Sequence, residues 1–298
     1  LNLFGCIYFT FDIVQPTIGV LTAINEQHLA LFGSLEETKK AKYELIEALP
    51  ENGLAVFNLD NSATRSLADE TLKPKRTYST ERPADVRASA ITVQSEKLSF
   101  ITEIVSLESR DTISPYRIEA NLLGSFHVSN LLAAITVAQS LGMTSQEISE
   151  AVKNIAPLNH TMALHHHQSG ALIIDDSYSA NPDGVLGALA HLKTIPRQYK
   201  VLVMMPMIEL GGTDKDAHRR VGEHMRHSCD LVIMTQKNFG RIIRKASGLS
   251  HQKLLFLSSP KAILNTLQPY LNQNSVILLE NRIPLLIIKT LTDNTQKI

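Results

Sequence analysis

Two adjacent carboxylates follow an apolar run in the stretch IIDDSYSANPDG, residues 173–184. Asp175 and Asp176 end that run, and residues 181–183 begin a pattern typical of a helix. In an open α/β sheet, ligands bind outside the carboxyl ends of the strands, and a helix N-terminus favours anions. A carboxylate there can bind ribose hydroxyls or a water bound to magnesium. The residues alone leave a second interpretation open, in which one Asp simply caps the helix.

A histidine and a lysine form a second candidate, in NEQHLALFGSLEETKKAKYE, residues 25–44. His28 lies in the loop after a predicted strand, and Lys42 lies on the predicted helix that follows. Isolated residues of these types are usually only solvated. Ala41 and Leu45, however, place Lys42 on the inward side of its helix. A partly buried lysine needs a partner, a lowered pKa or a chemical modification.

Two weaker features of the sequence are not interpreted as binding sites. Adjacent side chains of the run His165-His166-His167 cannot all face one metal ion, so we predict a surface loop there. Residues 211–215, GGTDK, do not fit the spacing G-x-x-x-x-G-K-[ST] of a phosphate-binding loop.

Composition restricts the class of protein. Lys+Arg and Asp+Glu both number 29 among 298 residues, so no net charge favours nucleic acid or anionic membrane as a partner. Cys6 and Cys229 give neither a disulfide framework nor a zinc spacing. No apolar run reaches the roughly 18 residues of a membrane span. We therefore expect a cytoplasmic protein, and we separately expect a monomer. Because the first residues lack a Met, we also expect the chain to begin partway through a domain.

The first half of the chain mixes helical and strand patterns. We predict a strand at 15–26, a helix from Ser34 to Leu49 with Ser34 as its N-cap, and a strand at 53–61. Period-two alternation over 85–120 predicts antiparallel strands. Helices are predicted at 127–142 and at 144–155, the second with Thr144 as its cap.

After Pro157 the pattern becomes a regular alternation of strands and helices. The predicted strands are 171–175, 200–205, 230–235, 253–258 and 275–280. This alternation predicts a parallel, doubly wound sheet with helices on both faces. The sequence therefore predicts an α/β protein of two domains, 1–157 and 158–298.

Five stretches together resemble the Mur ligase family, which makes the peptidoglycan peptide stem by ATP-dependent amide synthesis. They are residues 16–46, 53–61, 124–142, 173–184 and 201–223. DDSYSANP followed by MIELG resembles the branch that adds D-Ala-D-Ala to UDP-N-acetylmuramoyl-tripeptide (UDP-MurNAc-tripeptide). The resemblance implies part of the central ATP-binding domain in residues 1–157. It implies a C-terminal Rossmann-like, doubly wound domain in residues 158–298.

The resemblance also implies roles for particular residues. His28 would bind Mg²⁺ together with Lys42 as a carbamate, and both would be catalytic. ATP-binding residues would be Asn130, Asp176, Tyr178 and Asn181. Glu209 and His218 would lie near the incoming amino substrate. The implied reaction forms an acyl phosphate from ATP and a substrate carboxylate, which an amine then attacks.

Several positions depart from the family pattern. No G-x-x-x-x-G-K-[ST] sequence is present, which we interpret as N-terminal truncation. Thr161 stands where the family has an Arg, His127 and Ser179 stand where it has Asn, and Pro206 stands where it has Gly. We therefore expect weak or no activity from this chain alone. A degenerate partner protein and a ligase for another amino acid, of the folylpolyglutamate type, remain the alternatives.

Overall fold

The computed structural model describes residues 13–25, 33–94, 96–105 and 112–293. Apart from two short stretches, these residues form a first compact unit up to Ile155 and a second unit from Ala156 onward. Each unit has a six-stranded sheet. Among the described residues, no helix combines the length and the apolar character needed to span a membrane.

The sheet of the first unit has its strands in sequence order. They are β1 (Ile18–Leu21), β2 (Leu54–Asn58), β3 (Lys75–Ser79), β4 (Val86–Val93), β5 (Leu98–Val105) and β6 (Thr112–Ala120). The first four strands are parallel, and β4, β5 and β6 pair antiparallel. Buried and half-buried residues alternate along the whole of β5, so the predicted antiparallel strands are confirmed.

Polar caps fix the start of three helices in the first unit. The helices are α1 (Leu35–Glu47), α2 (Ser62–Glu70), α3 (Phe126–Ser140) and α4 (Ser145–Lys153). Ser34 caps α1, Asn61 caps α2, and Thr144 caps α4 in a capping box with Glu147. The predicted caps Ser34 and Thr144 are thus confirmed. Each satisfies a backbone N–H that the helix itself leaves without a partner.

A close approach between β1 and α1 sets the position of the helix that carries Lys42. A Cβ added to Gly19 would lie 3.1 Å from Cδ1 of Ile46 and 3.2 Å from Cδ1 of Leu49. Ile46 and Leu49 pack with Leu21 in the apolar core of this unit. Glycine at position 19 therefore allows α1 to lie directly on the strand.

The second unit has the parallel sheet that the sequence predicts. Its strands are β7 (Ala163–His166), β8 (Leu172–Asp176), β9 (Tyr199–Met204), β10 (Leu231–Met234), β11 (Leu254–Phe256) and β12 (Ser275–Glu280). The order is β11-β10-β9-β12-β8-β7, and all neighbours are parallel except β7 with β8. All six residues of β12 are buried, as expected for a central strand that helices cover on both faces.

The helices of this unit alternate with its strands. They are α5 (Pro182–Thr194), α6 (Asp214–Ser228), α7 (Gly240–Ser247), α8 (Pro260–Leu267) and α9 (Leu285–Thr292). Ile263 and Leu267 of α8 and Ile287 of α9 share one apolar core with alternate residues of the strands. This is the α/β architecture that the sequence predicts.

The prediction of a surface loop for the run His165-His166-His167 was wrong. His165 and His166 lie in β7, and His167 is only 5% exposed, so this is not a surface loop. The Nδ1 atom of His167 lies 2.7 Å from Oγ of Ser169. The short sequence of β7 has no clear alternation of apolar residues. Its antiparallel pairing with β8, rather than any local pattern, makes it a strand.

Candidate functional site

The carboxyl ends of three neighbouring strands lie side by side at one edge of the second sheet, and two of these strands, β8 and β12, end in acidic residues. β12 lies between β8 and β9. Asp176, the last residue of β8, is in register with Glu280, the last residue of β12. Glu280 is in turn in register with Met204 at the end of β9. This edge is where ligands bind in doubly wound sheets.

Asp175 is turned into the protein and binds two neighbouring side chains. It is 2% exposed, and its Oδ2 atom lies 2.7 Å from Nδ1 of His160. Its Oδ1 atom accepts hydrogen bonds from Ser177, from Oγ at 2.5 Å and from the backbone N–H at 3.1 Å. Both oxygens of Asp175 are therefore used within the fold, and Asp175 positions His160 and Ser177.

Ser177, His160 and Asp175 are the residue types of a hydrolase triad, but their geometry is different. In a triad the serine bonds the ring nitrogen that the carboxylate leaves free. Here Ser177 Oγ lies 3.5 Å from Nδ1 of His160, the nitrogen that already faces Asp175. Ser177 donates to the carboxylate itself. This cluster is not an activated nucleophile.

Asp176 and Glu280 form a carboxyl pair in apolar surroundings. Asp176 accepts the backbone N–H of Met162 at 3.1 Å, and Glu280 is 1% exposed. Burial raises the pKa of Asp176 to about 6, against hydrogen bonds from the backbone N–H of Met162 and then from Glu280, which both lower it. Burial, and then the nearby charge of Asp176, raise the pKa of Glu280 well above its ordinary value. Two such groups ionise together only at high cost.

The predicted nucleotide contacts Tyr178 and Asn181 have different environments. Tyr178 is 75% exposed, so its phenol is open to a ligand. Oδ1 of Asn181 accepts the N–H of Gly184 at 2.9 Å and caps α5. The capping residue of this helix is thus an Asn, and neither Asp175 nor Asp176 caps it.

Glu209 and His218 do not share a surface. Glu209 has φ +64°, and its exposed carboxylate lies 3.9 Å from Nη2 of Arg282. His218 is fully buried: its Nε2 accepts the N–H of Met207 at 3.1 Å, and its Nδ1 lies 2.6 Å from the carbonyl of Asp214. With both ring nitrogens bonded, His218 holds the loop that carries Glu209.

The loop after β12 connects the three strand ends. The amide of Asn281 donates to the carbonyls of Met205 and Pro206, both at 3.1 Å. The backbone N–H of Asn281 donates to the carbonyl of Asp176, and that of Arg282 donates to the carbonyl of Ser177. These contacts fix the segments after β8 and β9 to one another.

In the first unit, Lys42 is partly buried, and its Nζ lies 3.5 Å from the carbonyl of Ala23. Burial lowers the pKa of this lysine, which increases the share of neutral amine. The neighbouring segment is held by Asn58, whose amide donates to the carbonyl of Thr22 at 2.9 Å and to Oγ of Ser129 at 3.2 Å. Asn130, the next residue on α3, is exposed.

The predicted metal site is only partly within the described structure. His28 lies outside the described residues. Within those residues, no group of three or more His, Cys, Asp or Glu side chains could hold a metal ion. A carbamate on Lys42 would add oxygen ligands of the kind that Mg²⁺ prefers, and in that form Lys42 stays a predicted ligand.

Sequence reasoning did not single out His160, Ser177, Glu280 or Asn281. Glu280 could have been found, since it ends the predicted strand SVILLE and strand ends collect at one edge. His160 has φ +61°, and its approach to Asp175 depends on a loop conformation that no local pattern indicates.

Comparison with known proteins matches both units to one family. Residues 10–138 match the Mur ligase middle domain, and residues 162–280 match the family model described as Mur ligase, glutamate ligase domain. The chain is 30% identical over 248 residues to the UDP-N-acetylmuramoyl-tripeptide–D-alanyl-D-alanine ligase of Escherichia coli (strain K12). The aligned residues cover 82% of this chain and 53% of the E. coli ligase. The ligase of the same name from Mycobacterium tuberculosis (strain ATCC 25618 / H37Rv) is 30% identical over 71% of this chain and 41% of its own length. The chain thus spans about half the length of these relatives.

Solved structures show the same fold. The MurF ligase of Thermotoga maritima in complex with ADP has a TM-score of 0.80 at 21% identity, covering 94% of this chain and 62% of its own. A MurF of Acinetobacter baumannii has a TM-score of 0.81 at 21% identity, covering 97% and 62%.

Proposed function

The chain belongs to the Mur ligase family, and we propose that it takes part in the ATP-dependent addition of D-Ala-D-Ala to UDP-MurNAc-tripeptide. The observation that carries this proposal is the 30% identity, over 82% of this chain, to a ligase named for these substrates. The edge at the ends of β8, β12 and β9 supports it, because Asp176 is only half-buried there and Tyr178 is exposed.

In the proposed reaction the tripeptide carboxylate attacks the γ-phosphate of ATP. An acyl phosphate forms and ADP leaves. The amine of D-Ala-D-Ala then attacks the acyl carbon, the amide forms, and phosphate departs with the bonding electron pair. As the amide forms, the attacking nitrogen gives one proton to solvent or to a base and keeps the other. Catalysis of such steps is mostly positioning and electrostatic stabilisation.

The residues of this chain would bind and orient the reactants. Asp176 would accept a hydrogen bond from a ribose hydroxyl, and the exposed phenol of Tyr178 would contact the nucleotide. For Asn130, on the first unit, contact with ATP stays a prediction. Asn181 would contribute mainly by capping α5, because the N-terminus of a helix favours an anionic group of the nucleotide. Glu209, on the surface, would meet the amino substrate, while His218 would position the Glu209 loop from within.

Lys42 would act after modification. Its neutral amine attacks carbon dioxide, forming an N–C bond and releasing one proton, and an anionic carbamate results. With His28, that carbamate would hold Mg²⁺. The ion, when bound, would neutralise charge that develops on the phosphoryl oxygens.

We expect this chain alone to turn over ATP weakly or not at all. Its sequence contains no G-x-x-x-x-G-K-[ST] loop, and Thr161 and Ser179 replace side chains that the family pattern has. A lost charge-assisted contact to phosphate costs about 1.5–3 kcal/mol, which is one to two decades in affinity or rate. Phosphate release at a rate typical of enzymes in general, about 1–1,000 per second, would contradict this expectation.

Ligand binding tests the substrate class even if turnover is weak. Saturation-transfer NMR on the chain, in the presence of ADP and magnesium, should show transfer to D-Ala-D-Ala and not to L-Ala-L-Ala or L-glutamate. Preferred binding of L-glutamate would overturn the proposal in favour of a folylpolyglutamate-type ligase. A folded chain that binds neither nucleotide nor any of the three amines would overturn it in favour of a degenerate partner protein.

A further inference from the structure

Glu280 is a carboxyl group in the centre of a sheet. It ends β12, the strand between β8 and β9, and it is 1% exposed. Its Oε2 atom is buried and has no hydrogen-bond partner among the described residues. An ionised carboxylate in such a place is strongly unfavourable unless a cation or several donors face it.

The groups around Glu280 do not supply that compensation. Asp176 lies directly across the parallel pair, and it is an acid as well. Asp175, the next acid on β8, already binds His160 and Ser177. In the described part of the chain, no Lys or Arg forms an ion pair with Glu280 or Asp176. The arrangement therefore favours one proton held between the two facing carboxyl groups.

Asp176 is the partner that keeps the charge. Its side chain is less buried than that of Glu280, and Oδ1 accepts the N–H of Met162 at 3.1 Å. A backbone donor stabilises the ionised form of a carboxyl group. The proton thus belongs on Glu280, which can donate it to Asp176.

We propose that Glu280 is a positioning residue for Asp176: it stays protonated, donates a hydrogen bond to the Asp176 carboxylate, and so presents a single negative charge at the carboxyl edge of the sheet. Asp176, held by Glu280 and by the N–H of Met162, is then a fixed acceptor for a hydroxyl donor such as a ribose diol. A single charge also repels the phosphates of a nucleotide less than two would. The choice of a nucleotide as the ligand rests on the proposed function, whereas the pairing of Glu280 with Asp176 does not.

Titration of the carboxyl groups, followed by carbon-13 NMR, tests the proposal directly. In Glu280→Gln the amide donates the same hydrogen bond, so Asp176 should titrate within a few tenths of a pH unit of its wild-type position. In Glu280→Leu the donor is lost, and the titration of Asp176 should move to higher pH by on the order of one unit. Glu51→Gln, an exposed change in the first unit, is the control and should leave Asp176 unmoved.

Two results would overturn the proposal. One is a wild-type Glu280 that titrates in the ordinary range of an exposed glutamate. The other is an Asp176 titration that is the same in the Gln and Leu variants, as a merely structural role predicts. If Glu280→Leu does not fold, Asp176→Asn is the second test: without the neighbouring charge, Glu280 should titrate at lower pH than in the wild type, and no change would count against the pair.

A binding measurement separates this inference from the proposed function. Adenosine and ADP are titrated into wild type and Glu280→Gln by calorimetry, and the Gln variant should keep the wild-type affinity for both within about twofold. A loss of about tenfold or more would overturn the single-charge pair, because the Gln variant carries that same charge. If neither ligand binds wild type, the nucleotide role fails while the titration result still decides the role of Glu280.

Discussion

Nδ1 of His160 lies 2.7 Å from Oδ2 of Asp175, so a residue whose side chain is 42% exposed is held by one that is only 2% exposed. The contact connects the loop before β7 to the end of β8. Since Ser177 uses the other oxygen, one buried carboxylate organises the backbone on both sides of the candidate site.

Asp175→Asn should therefore weaken the fold as well as release His160. The free energy of unfolding is expected to fall by about 1.5–3 kcal/mol, the value of hydrogen bonds to a charged group. Ser177→Ala, which removes one donor, should cost about 1 kcal/mol. Urea unfolding followed by circular dichroism suits a chain without tryptophan. A loss below about 0.5 kcal/mol in Asp175→Asn, as for an ordinary surface change, would contradict this role.

Lys42 should carry a carbamate when carbon dioxide is present. Its pKa is lowered by burial, so neutral amine is available at lower pH than for a solvated lysine. With ¹³C-labelled carbon dioxide, we expect a carbamate NMR signal in the wild type that is absent from Lys42→Arg. Lys40→Arg is the matched control, because Lys40 is exposed on the same helix, and it should keep the signal. A signal that survives in Lys42→Arg would place the modification elsewhere.

The sequence predicted those elements whose signal is local. Ser34 and Thr144 are N-caps because a short polar side chain precedes each helical pattern. The strand 275–280 has the predicted bounds because a fully buried strand is a continuous apolar run. By contrast, β7 is a strand only because β8 lies beside it, which local sequence does not indicate.

Within the candidate site, the sequence predicted the positions of residues along the elements better than it predicted their burial and contacts. Asp176 comes at the strand end, as predicted, whereas the burial of His218 became visible only in the fold. Helical spacing indicates which face of a helix is inward, but it does not show that Phe239 stacks on the His218 ring at 4.0 Å. The pairing of Asp176 with Glu280 likewise depends on strand order, since 103 positions separate them in the chain.

The pH dependence of stability should reveal the Asp176 carboxyl. Its folded pKa is about 6, above the ordinary 3.8, so its stabilising contribution is complete below about pH 4 and is lost as pH rises through 6. At about 1.4 kcal/mol per pH unit between these values, the loss is at most about 3 kcal/mol. Asp176→Asn should therefore gain stability relative to wild type between pH 4 and 7, measured by urea unfolding. Asp69→Asn, an exposed control, should show no such trend, and equal pH slopes in wild type and Asp176→Asn would refute the assignment.

Replacement of His218 should cost stability in a pH-dependent way. His218→Phe keeps an aromatic ring against Phe239 but removes the acceptor for the Met207 N–H, so we expect a loss of about 1–3 kcal/mol at pH 7.5. Burial lowers the pKa of His218, which means that the unfolded chain takes up a proton near pH 6.5 that the folded chain does not. The stabilising contribution of neutral His218 is therefore lost in the wild type as pH falls below 6.5. The Phe variant lacks this contribution at every pH, so the stability that His218→Phe costs should be smaller at pH 5 than at pH 7.5.

His224→Phe, at an exposed position of the same helix, should show neither effect. A His218→Phe cost that is equal at both pH values would mean that His218 is charged in the fold, and that its ring does not accept the Met207 N–H.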